Sequence, residues 1–155
     1  MYELDAIDKR ILEALQDDAK INIKDLADKL KLTKTPVYER IRRLEKEGII
    51  RKYIALINKD YIERRMVVFC SVSLESQQLE RIKAFAKAVS SIPEVMECYL
   101  LGGANDFMLK VMVKDLDAYH QFSSGILAAL PNVAQIKSTF VLNEVKHTNA
   151  YPLSI

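Results

Sequence analysis

Over the first fifty positions, apolar residues recur at the i, i+3, i+4, i+7 spacing of one buried helical face. Ile7, Ile11, Ala14 and Leu15 form the first stripe. Asp5 opens it as a helix cap, with Asp8 three residues on in a reciprocal pair and Leu4 placed to staple the turn. Ile23, Leu26, Ala27 and Leu30 form a second stripe behind the cap Asn22, and Val37, Ile41 and Leu44 form a third. Only Lys31 and Leu32 separate the second helix from Thr33. Three short helices with matched stripes, the last two joined by a tight turn, predict a helix-turn-helix unit.

Past residue 65 the period alternates between two and 3.6. Residues 66–74 read as a strand (Val67, Val68, Phe69, Val72, Leu74). A helix follows, capped by Ser76, with the stripe Leu79, Ile82, Phe85, Ala86 and Val89. Residues 95–101 and 107–113 read as strands joined by the turn Gly102-Gly-Ala-Asn-Asp106. Asp115 caps a last helix carrying Tyr119, Phe122, Ile126, Leu127 and Leu130, ended by Pro131 and Asn132, and residues 133–145 read as the final strand. The order βαββαβ predicts a four-stranded sheet with both helices on one face, a ferredoxin-like arrangement, so the fold class is α+β. Strands 66–74 and 133–145 are apolar at too many successive positions for a solvated face, which predicts that a second copy covers it in a homodimer.

Charge then separates the two halves. The net charge of the whole chain is only +2, yet residues 33–52 hold seven Lys or Arg against three Glu. Residues 1–60 hold 14 basic and 12 acidic side chains and residues 61–155 nine of each, so the second half is not a second DNA-binding arm. The polar stretch 58–65 reads as a linker, which gives domains of 1–60 and 61–155. Within the basic stretch the third helix has both ends signed. Thr33 or Thr35 can offer a hydroxyl to the first turn, Pro36 lacks only an N–H that was free anyway, and Gly48 suits the positive φ of a helix end. An amphipathic helix that buries one side and offers arginine on the other suits the major groove of double-stranded DNA, whereas the bland alternative is a solvated surface helix. The two preceding helices favour DNA. Thr35, Tyr38, Arg40, Arg42 and Arg43 are expected at groove and backbone, and Lys34, Arg51 and Lys52 at phosphate. Thr33 and Pro36 complete the DNA-binding set. Residues 49–57, rich in Ile and Tyr, read as a strand or a reduced wing.

Composition narrows the remaining classes. No apolar run approaches the roughly 20 residues of a membrane span, and the N-terminus lacks the regions of a signal peptide, which predicts a soluble cytoplasmic protein. Cys70 and Cys98 lie in apolar strand-like runs and read as buried free thiols, with neither disulfide nor metal expected. His120 and His147 stand apart from other ligand types, and no cofactor is implied. A small enzyme on the second domain ranks last, because no nucleophile with a base, no carboxylate pair and no phosphate-cradling loop is present.

Leu4-Asp-Ala-Ile-Asp-Lys-Arg-Ile-Leu12, the stretch from Thr33 to Ile50, Glu97-Cys-Tyr-Leu-Leu-Gly-Gly-Ala-Asn-Asp-Phe-Met-Leu-Lys-Val111 and Phe140-Val-Leu-Asn-Glu-Val-Lys-His147 together resemble the Lrp/AsnC family of bacterial and archaeal regulators. The resemblance covers nearly the whole chain. It implies an N-terminal winged helix-turn-helix and a C-terminal ferredoxin-like domain of the RAM/ACT-like kind, which dimerises, often stacks to octamers, and senses an amino-acid effector between dimers. By position it implies an effector site of Tyr99, Leu101, Gly102, Gly103, Asn105, Asp106 and Ser138. Gly102 and Gly103 would bare backbone N–H groups to a carboxylate, and Asp106 or the carbonyls near it would take the ammonium; read without the resemblance, the glycines are a turn chosen for φ and Asp106 a turn cap. Where many relatives carry two threonines on the last strand, this chain has Ile136 and Ser138, so the effector's identity stays open. An architectural DNA-wrapping protein without an effector is the alternative within DNA binding.

Overall fold

The computed structural model describes residues 2–58, 61–63 and 66–153. Contacts divide the chain into two units, Met1–Leu56 with Lys146–Ile155, and Ile57–Val145. Residues 146–153, expected with the second domain, therefore group by contact with the first. The linker expected over 58–65 lies partly outside the described residues.

In the first unit, α1 (Ala6–Asp17), α2 (Ile23–Leu30) and α3 (Lys34–Lys46) enclose one small core of Ile11, Leu12, Leu26, Ala27, Leu30, Val37, Ile41 and Leu44. The Asp5 carboxylate accepts from the N–H of Ile7 and Asp8 at 2.8 and 2.7 Å, and the Asp8 carboxylate accepts from the Asp5 N–H at 3.4 Å, the reciprocal cap that the spacing predicted. Asn22 caps α2 through the Asp25 N–H. Lys31 takes a left-handed conformation (φ 57°), which lets the Leu32 N–H reach the Ala27 carbonyl and the chain turn into α3. At the far end Gly48 (φ 71°) frees the N–H groups of Ile49 and Ile50 to bond the Leu44 carbonyl at 2.9 and 3.1 Å.

That closure is why residues 49–57, expected as a strand or a reduced wing, form no strand. The first two residues turn their donors back on α3 and their side chains onto the helical core, and no strand pairs with the rest among the described residues. The tail takes a place beside α1 instead. The Tyr151 N–H donates to Gln16 Oε1 at 2.6 Å and Gln16 Nε2 donates to the Tyr151 carbonyl at 3.0 Å, so one side-chain amide meets the backbone as a strand neighbour would. Leu153 packs on the three-helix core.

The second unit runs β1 (Met66–Leu74), α4 (Leu79–Ser90), β2 (Val95–Leu100), β3 (Phe107–Val113), α5 (Leu116–Gln121) and β4 (Val133–Phe140). The antiparallel sheet has the order β2-β3-β1-β4, as a ferredoxin-like fold requires. Its core is larger: Val68, Cys70, Val72 and Leu74 of β1 and Phe107, Leu109, Val111 and Val113 of β3 meet Phe85, Val89, Tyr119, Phe122 and Leu127.

Four details depart from the periodicity. Helix α4 starts after Gln78, which stands at the N-cap position without a side-chain capping bond, and not after Ser76, because Asn132 holds Ser76 by both its backbone groups (3.0 and 2.8 Å). Helix α5 passes into a π-helical turn, Phe122–Leu127, so the buried Phe122 and Leu127 are brought inward at a spacing of five. Strand β4 ends at Phe140 instead of residue 145. Phe140 already pairs with Val68 and the Val141 N–H with the Val67 carbonyl, so a longer strand would outrun β1. Cys70 is buried as expected, but Cys98 is exposed because β2 is an edge strand. The face away from the helices carries Phe69, Met108, Lys110, Met112 and Tyr99, half-buried or exposed.

Candidate functional site

Helix α3 presents two edges of different character. Thr33, Lys34, Thr35, Tyr38, Arg42 and Arg43 are exposed, as are Arg51 and Lys52 beyond its end, while Pro36 and Arg40 are half-buried. Thr33 is the N-cap, but its hydroxyl makes no capping bond, so the first-turn N–H groups of α3 are not capped by that side chain as those of α1, α2 and α5 are. Pro36 is the third helical residue, where a missing N–H still costs nothing. The Arg42 guanidinium lies 6.0 Å over the Tyr38 ring.

The other edge is tied down. Arg40 Nη1 donates to Asp5 Oδ2 at 2.6 Å and to Asp8 Oδ1 at 2.7 Å, and Arg43 Nη2 donates to the same Asp8 oxygen at 3.3 Å. The Tyr2 hydroxyl donates to Asp8 Oδ2 at 2.8 Å, and the Arg43 guanidinium lies 5.2 Å over the Tyr2 ring. Burial pushes the Asp8 carboxyl up, but hydrogen bonds from Tyr2, Arg40 and the Asp5 N–H outweigh it and leave the group below the usual carboxylate range. Asp5 is lowered too, by the Asp8 N–H first and Arg40 second. This network escaped the sequence reading, which saw Asp5 and Asp8 only as a cap. The signal was present: Arg40 stands three residues from Val37 and four from Leu44, hence beside the buried stripe and not opposite it.

Of the expected effector residues, Leu101, Gly102, Gly103, Asn105 and Asp106 share one hairpin loop, closed by the Leu101 N–H on the Asp106 carbonyl at 2.8 Å. Asp106 Oδ2 accepts from the Leu74 N–H at 2.7 Å and from Gln77 at 3.4 Å, and the Ser73 hydroxyl reaches Asn105 Oδ1 at 3.3 Å. The Asp106 carboxylate thus fastens the loop to the end of β1, the turn-cap role. Gly102 and Gly103 do not have the positive φ of a turn chosen for glycine, and a Cβ at either would meet nothing within 4 Å. Neither backbone angle nor close packing among the described residues requires glycine at these two positions.

Tyr99 stands on β2 just before the loop, donating to Glu97, whose other oxygen pairs with Lys110 at 2.9 Å. Ser138 does not join the loop. Strand β1 lies between β3 and β4, and Ser138 pairs with Cys70 and hydrogen-bonds Tyr119, which also contacts the Cys70 thiol at 3.2 Å. Burial drives the Tyr119 phenol up to about 12 and raises the Cys70 thiol, so this cluster is neutral. Among the described residues no His, Cys, Asp and Glu group could hold a metal, and no helix is long and apolar enough to cross a membrane.

Comparison with known proteins now places these parts. A family model described as a winged helix-turn-helix DNA-binding domain matches residues 4–51, and one described as the Lrp/AsnC ligand binding domain matches residues 67–151. The chain is 44% identical over 153 residues to the Bkd operon transcriptional regulator of Pseudomonas aeruginosa, covering 99% of this chain and 100% of that one. It is 37% identical over 147 residues to the leucine-responsive regulatory protein of Escherichia coli K12, covering 95% of this chain and 90% of that one. Among solved structures, a transcriptional regulator of Neisseria meningitidis in complex with L-Met superposes with a TM-score of 0.91 at 32% identity, and an AsnC family regulator of Agrobacterium tumefaciens with 0.92 at 35%, each covering 97% of both chains. With helix-turn-helix and sheet domain both matched, the chain belongs to the Lrp/AsnC family, transcriptional regulators that join a DNA-binding unit to an effector-binding one.

Proposed function

We propose that this regulator reads double-stranded DNA in the cytoplasm with the exposed face of α3 and alters that binding in response to an amino acid with an apolar side chain. The observation that carries the DNA half is the placement of Lys34, Thr35, Tyr38, Arg42 and Arg43 on one exposed face, with Arg51 and Lys52 following on the same unit. Arginine forks there suit base edges and phosphates alike, and the uncapped N–H groups at the start of α3 favour phosphate. The effector half is supported by Gly102 and Gly103, where neither backbone angle nor close packing among the described residues requires glycine, and by exposed Leu100 and Leu101 beside them. The names of a leucine-responsive relative and of an L-Met complex point to the same ligand class. Backbone N–H groups at the glycines would meet the carboxylate. The half-covered apolar face of the sheet supports a homodimer, and an octamer would bring loops of neighbouring dimers together.

The test is fluorescence anisotropy of the protein on its own upstream DNA against a random duplex at one fixed salt concentration, with and without each apolar amino acid. A preference for the upstream DNA, shifted by one of them, is the expected result. Equal binding to both duplexes with no shift would replace this reading by an architectural, effector-free one. In the same assay Gly103→Val should abolish the amino-acid shift while leaving binding without ligand as it was.

A further inference from the structure

We propose that Asp8 is the positioning residue of the DNA-reading helix: it withdraws Arg40 from the basic face and aims Arg43, so that α3 offers DNA a pair of arginines where its sequence carries three. The inference rests on α3 being the helix that faces DNA. It begins with a charge in an unusual place. The Asp8 side chain is 1% exposed, and a carboxylate so enclosed persists as an ion only when its oxygens are met by donors. Both are met, from different elements. Oδ2 takes the Tyr2 hydroxyl and the Asp5 N–H, the N-terminal side of α1 itself, while Oδ1 takes Arg40 and Arg43 from α3.

The two arginines are held unequally. Arg40 brings one nitrogen to two carboxylates at 2.6 and 2.7 Å and is only 24% exposed, so a DNA phosphate would have to displace both acids to bind it. Arg43 touches Asp8 through a single nitrogen at 3.3 Å and is 46% exposed. With Tyr2 beneath its plane, Arg43 is fixed from one side and keeps the remainder of its fork for a partner. Asp5, Asp8, Arg40 and Arg43 sum to zero charge, so the cluster adds direction to the face without adding general attraction for DNA. Among the described residues Arg42 has no carboxylate partner, and it rests on Tyr38. The sequence therefore overstates the phosphate-binding power of α3 by the arginine that Asp8 removes.

Salt dependence counts phosphate contacts directly, since each lost contact lowers the slope of log affinity against log salt by roughly 1. On a random duplex, Arg42→Gln should lower the slope by about that amount and Arg40→Gln should leave it unchanged. Asp8→Asn should raise the slope by about one contact, as Arg40 is released, and reduce the preference for upstream over random DNA several-fold. The double variant Asp8→Asn/Arg40→Gln should return the slope to its original value. Asp17→Asn, which removes the same charge from an exposed position at the end of α1, should not move it. A slope lowered by Arg40→Gln as much as by Arg42→Gln overturns the proposal, and so does a raised slope that survives in the double variant. The Arg40→Gln arm decides the matter even if the Asp8 variants fail to fold. If Arg42→Gln itself changes nothing, the reading of α3 as the DNA-facing helix is what has failed, and this proposal falls with it.

Discussion

Asp8 in the helical unit and Tyr119 in the sheet unit are both almost fully enclosed, at 1% and 4% exposure, and they are satisfied in opposite ways. Asp8 is an ion met by two guanidiniums, a phenol and a backbone N–H. Tyr119 is a neutral phenol met by a thiol and a hydroxyl, with its own ionisation pushed to about 12. The helical unit ties its helices with charge at the seam between α1 and α3, next to the face proposed for DNA. The sheet unit keeps its enclosed polar groups uncharged beneath a larger apolar core. Acid should therefore disturb the reader of DNA before it disturbs the domain proposed to sense a ligand.

The comparison can be strained most strongly through the cores. Phe85→Ala removes a ring packed 4.7 Å from Phe107 and should destabilise the sheet unit by about 3–5 kcal/mol, seen as an early denaturant transition. Leu44→Ala should cost the helical unit about 2–5 kcal/mol. Among the described residues its core cluster has eight buried members to share the loss, against thirteen in the core cluster of the other unit, so DNA binding should vanish while the strand signal of the sheet persists. One common transition in both variants would show that the units unfold together. Asp5→Ala removes the α1 cap and one partner of Arg40 and should cost about 1 kcal/mol in thermal unfolding of the helical unit alone.

Acid is a gentler probe of the same seam. Asp5 and Asp8 are held below the ordinary carboxylate range, so just below pH 4 the unfolded chain binds more protons than the folded one. Their contribution is complete above about pH 4 and is lost as pH falls through the folded values. Melting followed between pH 6 and 3 should show the helical unit weakening first, and Asp8→Asn should flatten that dependence. Equal weakening of both units would end the contrast drawn here. At the small end, Lys83→Ala breaks only an exposed pair with Glu80 and should change stability by less than about 0.5 kcal/mol.

Much of this molecule was legible in its residues. Stripes such as Val37, Ile41 and Leu44 located all three helices of the first unit, and caps such as Asp5 and Asn22 there and Asp115 in the second unit marked helix starts, because local spacing and local hydrogen bonds decide those features. Features set by distant partners were not legible. Asn132 pins Ser76 from 56 residues away and so moves the start of α4. The ion pairs of Arg40 were hidden because its partners Asp5 and Asp8 lie more than thirty positions upstream. The bond of Ser138 to Tyr119 was hidden because a position on a strand says nothing of a partner on a helix. The loop of residues 101–106, proposed for the effector, was visible as a loop, but only the backbone angles of Gly102 and Gly103 removed the ordinary explanation for them.

The pairing of Gln16 with Tyr151 joins residues 135 positions apart, and Leu153 completes the packing of the helical unit from the same tail. During synthesis, α1, α2 and α3 leave the ribosome early, while the strand-like partner of Gln16 follows only after the entire sheet domain has been made. A nascent chain halted anywhere in that domain would carry the arginine-bearing helix without its finished support. The order of translation thus makes completion of the DNA-reading unit wait for the synthesis of the domain that follows it.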